Sequence, residues 1–300
     1  MDSLSPSMQV FVTDYEAVLR VRGPLRWHRH PGSALHGMLK RGLDRVDPAV
    51  RARLLAPVVP EPPPHFSLRA GEAAPAALFP VLPRTGTGPQ GALMRDDQIP
   101  IRLRRFGPAD PYIDQCIESA LDSLDEALFV EPGSWRSPRG RIVAIDDRPT
   151  HDNYTSLNFI TPGHLEANDR VRTDLDFPTL IKLVRRRLEA ICALHGELPA
   201  DTSERFRRET LPGAGRVTRV RSRLRREEWE REASLADGAR RRHKMIGLLG
   251  DMAFEGPLGP FVSTLVAAQE IHIGKLTSMG LGRIAVALGL DGSPTTVLDP

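Results

Sequence analysis

The sequence is poor in cysteine, lysine and aromatic residues, and each shortage narrows what the chain can be. Its two cysteines, Cys116 and Cys192, fall on apolar helix faces and make no CxxC pair. That pattern excludes a disulfide scaffold and a zinc framework, and it points to reduced core thiols in the cytoplasm. Lysine occurs only at Lys40, Lys182, Lys244 and Lys275, so arginine makes up nearly all of the 41 basic residues. A GC-rich genome would produce the same bias, so where the arginines cluster says more than how many there are. No apolar run approaches the length of a membrane span, and no signal-peptide pattern opens the chain. What is present, 40% hydrophobic and 26% charged residues among 300 with a net charge of +3, describes a globular protein of one large or two ordinary domains.

Taken in order, the hydrophobic pattern predicts an α+β chain. Alternation at Val10, Val12, Ala17, Leu19 and Val21 reads as a first strand, ended by Gly23-Pro24. A helix from Ser33, a good N-cap, to about Val46 buries Leu35, Met38, Leu39, Leu43 and Val46. The proline-rich stretch 57–64 is extended connecting chain, and a short strand over 77–82 precedes a Gly/Pro loop over 83–91. Ile99, Ile101 and Leu103 form a third strand, with Arg102 and Arg104 on its other face. Asp110-Pro111 caps a helix whose stripe runs Ile113, Cys116, Ile117, Ala120, Leu121, Leu124 and Leu128, and a strand over 141–145 closes the unit. Strand, helix, strand, strand, helix, strand is the ferredoxin-like (RRM-like, βαββαβ) order. The order then repeats. A strand over 153–160 leads to a helix over 176–194, with Pro178 in its first turn and Gly196 beyond its end. A strand pair at 216–224 and 245–254 surrounds an irregular charged connection, and a helix over 261–271 and a strand over 284–288 finish the chain. The expected organisation is tandem ferredoxin-like domains, 1–150 with a Pro-rich insertion and 151–300, divided at Arg148-Pro149-Thr150.

The stretch Ile271-His272-Ile273-Gly274-Lys275-Leu276-Thr277-Ser278-Met279-Gly280-Leu281-Gly282-Arg283-Ile284 joins the last helix to the last strand. Glycines at this density let a backbone turn at positive φ and approach a ligand closely. Free N–H groups there, with Lys275, Thr277, Ser278 and Arg283 beside them, suit phosphate oxygens. This loop resembles the C-terminal glycine-rich motif of the RAMP superfamily of CRISPR-associated proteins, in particular the endoribonucleases that cut precursor CRISPR RNA. Three further stretches fit that branch in order: Leu157-Asn158-Phe159-Ile160-Thr161-Pro162, Leu175-Asp176-Phe177-Pro178-Thr179-Leu180, and Gly247-Leu248-Leu249-Gly250-Asp251-Met252-Ala253-Phe254. Pro31-Gly32-Ser33-Ala34-Leu35-His36-Gly37 is a looser match in the N-terminal half. The resemblance implies tandem ferredoxin-like domains, a CRISPR repeat RNA partner (stem or single strand), and contact with effector-complex subunits. It also implies the reaction. A ribose 2′-OH attacks the adjacent phosphate, giving a 2′,3′-cyclic phosphate and a 5′-OH with no metal or other cofactor.

That chemistry needs a proton acceptor, a proton donor and positive charge at the phosphate. Histidine suits the proton work near neutral pH. The resemblance places the acid/base in or near the first helix, which singles out His36. With Ser33 as N-cap, His36 would lie in the first turn, where the helix dipole favours a neutral ring. Lys40, one turn on, would stabilise the transition state. His28 and His30 are the rivals; as i, i+2 neighbours they also permit metal binding, though no third ligand accompanies them. The densest basic region runs from Arg205 to Lys244 and includes Arg240-Arg241-Arg242-His243-Lys244. In a strand Arg219, Arg221, Arg223 and Arg225 would share one face, opposite Val220 and Leu224, as an electrostatic groove for an RNA stem. Gly280, Gly282 and the donors of the loop complete the expected RNA-binding set. With aromatics at 5% of the chain, base stacking has little to draw on. The alternative from another class is a non-catalytic RNA-binding RAMP subunit of an effector complex on the same fold.

Overall fold

Alternating apolar residues make β1 (Met8–Val21) a two-faced strand, and its two faces organise everything that follows. In a computed structural model, which describes residues 8–27, 31–57, 75–82, 91–123, 128–130, 136–145, 150–167, 170–171, 174–234, 240–289 and 296–297, β1 is central in the first sheet. β2 (Leu78–Pro80) and β3 (Gln98–Phe106) lie on one side of it, and β4 (Leu128–Val130) and β5 (Arg136–Ile145) on the other. Strands β5-β1-β3-β2 are antiparallel neighbours, the strand order of a ferredoxin-like unit. Tyr15, Ala17, Leu19 and Val21 point to the face covered by α1 (Gly32–Val46), α2 (Pro48–Leu55) and α3 (Pro111–Asp122). Asp47 and Asp110 start α2 and α3 by accepting the orphan N–H groups of Ala49, Val50, Tyr112 and Ile113.

The second sheet repeats the plan. β6 (Tyr154–Gly163) lies between β11 (Ile284–Gly289) and β10 (Arg240–Glu255). β8 (Thr218–Ser222) and β9 (Arg225–Ser234) share the far edge of β10, and β12 (Thr296–Val297) pairs with β11. α4 (Phe177–His195), N-capped by the Asp176 carboxylate, and α5 (Val262–Ile271) cover one face of this sheet. The α+β tandem ferredoxin-like fold is thus borne out.

The opposite face of β1 packs on those same two helices. Val10, Val12, Phe79, Phe106 and Ile145 from the first sheet share one apolar cluster with Leu180, Val184 and Leu188 of α4, Leu265 and Ile271 of α5, and Leu157, Met252 and Val286 of the second sheet. The layers therefore run helices, sheet, helices, sheet. A short strand β7 (Gly196–Glu197), directly after α4, pairs with Gln9 and Val10 of β1. Burying one Leu, Ile, Val or Phe side chain contributes about 1.5–3 kcal/mol, so this shared cluster is the main bond between the halves.

An ion cluster joins it. Arg104, 1% exposed, donates through Nε to Asp14 at 2.8 Å and through Nη1 to Glu270 at 2.6 Å and to the Glu270 carbonyl at 3.0 Å. Arg102 and Arg141 reach the other oxygen of Asp14 at 2.6 and 2.7 Å, and Arg141 also bonds Glu270. Burial alone would raise the Asp14 pKa, but Arg104, Arg102 and Arg141 outweigh it and hold the carboxyl well below the usual range. Arg104 and Arg187, which donates to the Ile271 carbonyl at 3.0 Å, also sit at the negative end of α5.

Several local expectations change. The N-cap of α1 is Pro31, not Ser33, so His36 begins the second turn, where the dipole effect has faded. Leu128 lies in β4 and not on the α3 stripe. The charged connection is a hairpin, β9 with β10, paired without interruption from Arg225↔Leu249 to Ser234↔Arg240. Its outer part is charged at nearly every position, so no hydrophobic alternation could reveal it. Residues 58–74 and 83–90, expected as connecting chain, lie outside the described residues.

Candidate nucleic-acid interface and active site

The glycine loop is built into the joint between the halves. Gly32, the first residue of α1, lies so close to the loop that a Cβ there would stand 1.7 Å from the Met279 carbonyl. On the other side, the Thr161 hydroxyl donates to the Gly280 carbonyl at 3.0 Å, and Gly282 N–H donates to the Pro162 carbonyl at 3.0 Å. Lys275 N–H donates to the His164 carbonyl at 2.8 Å, and Arg283 Nη1 to the Leu82 carbonyl at 2.8 Å. Gly280 and Gly282 adopt φ of 72° and 73°. Added Cβ atoms would meet the Pro80 carbonyl at 2.4 Å and the Ile273 carbonyl at 1.9 Å. Only glycine fits at either position.

This geometry differs from the expected open cradle of N–H groups. The N–H groups of Ile273, Lys275, Met279, Gly280, Gly282 and Arg283 all donate within the protein, and Gly280, Gly282 and Thr277 are buried. Lys275 is exposed and Ser278 and Arg283 are half-buried, so these three hold the part of the loop open to a ligand. Beneath the loop His272 is fully buried at φ 54°, ψ 159°, edge-on to Phe79 at 4.8 Å. Burial, with Arg104, Arg283 and Arg187 nearby, holds its pKa well below the usual histidine value.

His36 lies four residues after Gly32 and therefore one turn further along the same helix face. The contact between Gly32 and Met279 thus brings the first helix's candidate acid/base and the glycine loop into one neighbourhood. His36 is half-buried and Lys40 exposed. His28 and His30 lie outside the described residues.

The arginine ribbon is arranged differently from the expectation. Arg219 pairs with Phe254 of β10 but Arg221 pairs with Ala253, because a bulge intervenes at Val220. Neighbouring residues of β10 face opposite ways, so Arg219 and Arg221 do as well. Arg219 bonds Asp174 and the Leu175 carbonyl, and Arg221 donates to Asp251 at 2.8 Å. Val220, expected on an apolar back, is 47% exposed. Arg223 is exposed. β8 lies level with the start of β6, since Arg221 and Ser156 both pair with Ala253. The glycine loop adjoins the end of β6 at Pro162, six residues on, or roughly 20 Å along the strand. Arginines 219, 221 and 223 are therefore not brought together with the loop.

The hairpin is. β10 pairs with β6 up to Leu248↔Gly163, and its residues 240–247 continue past the end of β6 on the loop's side. His164, in the turn after β6, bonds the Ile246 carbonyl through Nδ1 at 2.6 Å while its own carbonyl holds Lys275. The sequence signal for this placement was present in the run 240–244, but nothing in it gave a strand register.

Together these features define a class, a pair of ferredoxin-like units with a glycine loop at their joint. Within it, residues 157–284 match the family model described as CRISPR-associated endoribonuclease Cas6, which bears out the resemblance drawn from the motifs. No curated protein matches the chain. Among solved structures, a Cas6 product complex is similar with a TM-score of 0.55 and 16% identity, over 90% of this chain and 98% of that one. Thermus thermophilus Cas6 gives a TM-score of 0.51 and 14% identity over 93% and 98%. A partial Cas6-RT-Cas1–Cas2 complex gives 0.60 and 11% identity over 98% of this chain and 49% of that chain, so the chain spans about half its length. At such identities the likeness establishes the fold. Among the described residues no helix is long and apolar enough to cross a membrane.

Proposed function

We propose that the protein binds CRISPR repeat RNA and cuts it as a metal-independent endoribonuclease. The observation that carries this reading is the seating of Gly32 against Met279, which sets His36 one helical turn from the glycine loop of the segment that matches Cas6. In the proposed mechanism His36 exchanges the proton of the attacking 2′-OH or the leaving 5′-oxygen, and Lys40 supplies charge to the phosphate. Lys275, Ser278 and Arg283, with the β9–β10 hairpin, hold the RNA, while Thr277, Gly280 and Gly282 shape the loop that presents them. Arg219, Arg221 and Arg223 form an outlying contact with phosphates further along. The chain divides into working units of 1–150 and 151–300, and other CRISPR proteins are its protein partners.

Incubation of the purified protein with repeat RNA in EDTA tests the reading. Cleavage to a 2′,3′-cyclic phosphate and a 5′-OH is the expected result. Tight binding without cleavage would replace it with the non-catalytic RNA-binding subunit.

A further inference from the structure

Two guanidinium groups at the end of α5 are held in different ways. Arg104 is matched by Asp14 and Glu270, at 2.8 and 2.6 Å. Arg187, on α4, donates through Nε to the Ile271 carbonyl at 3.0 Å and, among the described residues, meets no carboxylate. Its Nη2 is shut off from solvent without a hydrogen-bond partner. Burial with no compensating charge pulls its pKa down to about 9. A buried cation in this state weakens a fold relative to an apolar side chain of similar length, so stability does not account for an arginine here. The negative end of α5 offsets only part of that cost.

The chain passes from Ile271 directly into the glycine loop. His272 follows at φ 54°, and Ile273 N–H donates to the Gly282 carbonyl at 2.8 Å, closing the base of the loop. Burial first, and then the charges of Arg104, Arg283 and Arg187, lower the pKa of the His272 ring. The charge of Arg187 therefore stands at the root of the loop.

We infer that Arg187 is a positioning residue for RNA, whose unmatched charge at the root of the glycine loop draws a phosphate onto Lys275 and Ser278 without touching it. This rests on the RNA-binding reading above, and it assigns the missing counter-anion to the backbone of the ligand. Salt screens a charge in the interior far less than one at the surface, so it acts at a distance. At about 10 Å and an effective dielectric of about 20, one unit charge changes phosphate affinity roughly tenfold.

The test measures binding of labelled repeat RNA, and melting of the free protein, for full-length wild type, Arg187→Lys, Arg187→Gln and Arg187→Met. Binding is read at about pH 6, low enough for a buried lysine to hold its proton. The two neutral variants should bind about tenfold more weakly, while Arg187→Lys, which keeps the charge, should stay within a few-fold of wild type. The log–log salt slope should match wild type in all three, since a charge that touches no phosphate displaces no counterion. The free neutral variants should melt no lower than wild type. A slope lower by roughly 0.7–0.9 would make Arg187 a direct phosphate contact and overturn the positioning role. So would wild-type affinity in both neutral variants, equal losses in Arg187→Lys and Arg187→Met, or a neutral variant that fails to fold. In each of these cases the broader function stands. If the wild-type protein shows no affinity for repeat RNA, the function itself fails and the inference with it.

Discussion

Residues 219–223 and 240–244 look alike in sequence, since each holds three arginines in five residues, yet the fold gives them different surroundings. The first stretch lies on an edge strand whose bulge turns Arg219 and Arg221 to opposite faces, where Asp174 and Asp251 meet them. The second lies on a strand that runs past the end of β6 on the side of the glycine loop. Basic residues that fold onto carboxylates have few counterions left to release on binding a phosphate backbone. On the proposed function, proximity to the joint, and not arginine density, separates the main RNA surface from an outlying contact.

The largest effect should come from the joint itself. His36→Ala should slow single-turnover cleavage about 10²–10⁴-fold with little change in affinity, and Lys40→Ala should slow it less. Loss of binding together with rate would instead make His36 a helix-ordering residue. The same measurement on His28→Ala and His30→Ala sharpens the assignment, since loss of cleavage in either with His36→Ala active would move the acid/base to the end of the first strand.

Next come the glycines. Gly32→Ala forces a Cβ to 1.7 Å from the Met279 carbonyl, and Gly282→Val one to 1.9 Å from the Ile273 carbonyl at φ 73°. Each should cost about 2–4 kcal/mol in chemical denaturation, the range of strained or overpacked sites. Gly215→Ala, where a Cβ would meet nothing within 4 Å, should change little. A Gly282→Val protein as stable as wild type would show that the loop yields easily and is not a joint.

The joint should also be acid-sensitive. Burial lowers the His195 pKa to about 4, and His272 is held well below the ordinary value. From about pH 6.5 down to 4 the unfolded chain binds protons that these folded rings refuse, so stability is lost as pH falls through that window. Each group contributes up to ~1.4 kcal/mol per pH unit. Melting curves at pH 7 and pH 5 should show the drop, and His195→Gln should lessen it. A pH-independent melting temperature would contradict the lowered pKa of both rings.

The smallest effect is expected at the edge strand. Replacing Arg219, Arg221 and Arg223 together by Ala should lower the log–log salt slope of RNA binding by about one contact's worth, roughly 0.7–0.9. A drop of two or three times that would mean the carboxylates release their arginines to RNA, and the two stretches would then be equivalent.

Much of this was legible in the sequence, for physical reasons that also explain what was not. The helices at 111–122 and 177–195 announced themselves through their starts, Asp110-Pro111 and Asp176-Phe177-Pro178, and their apolar stripes, and the βαββαβ repeat followed from period-2 strands. The hairpin escaped because its outer strands are charged at nearly every position and show no hydrophobic alternation. The Val220 bulge escaped because a one-residue slip has no local signature in this stretch. The inward role of Arg104 escaped because its partners Asp14 and Glu270 lie 90 and 166 residues away in sequence. Glycines 280 and 282 were rightly singled out as positions needing positive φ, but the surface they approach is the protein's own backbone.

Amide hydrogen exchange with and without repeat RNA tests the central claim most directly, because it reads both arginine stretches in one sample. The account predicts strong RNA-induced protection across 161–164, 226–232, 240–248 and 274–279 and the first turns of α1, with 218–222 nearly unchanged. Protection concentrated at 218–222, with the loop and hairpin exchanging as in the free protein, would contradict it.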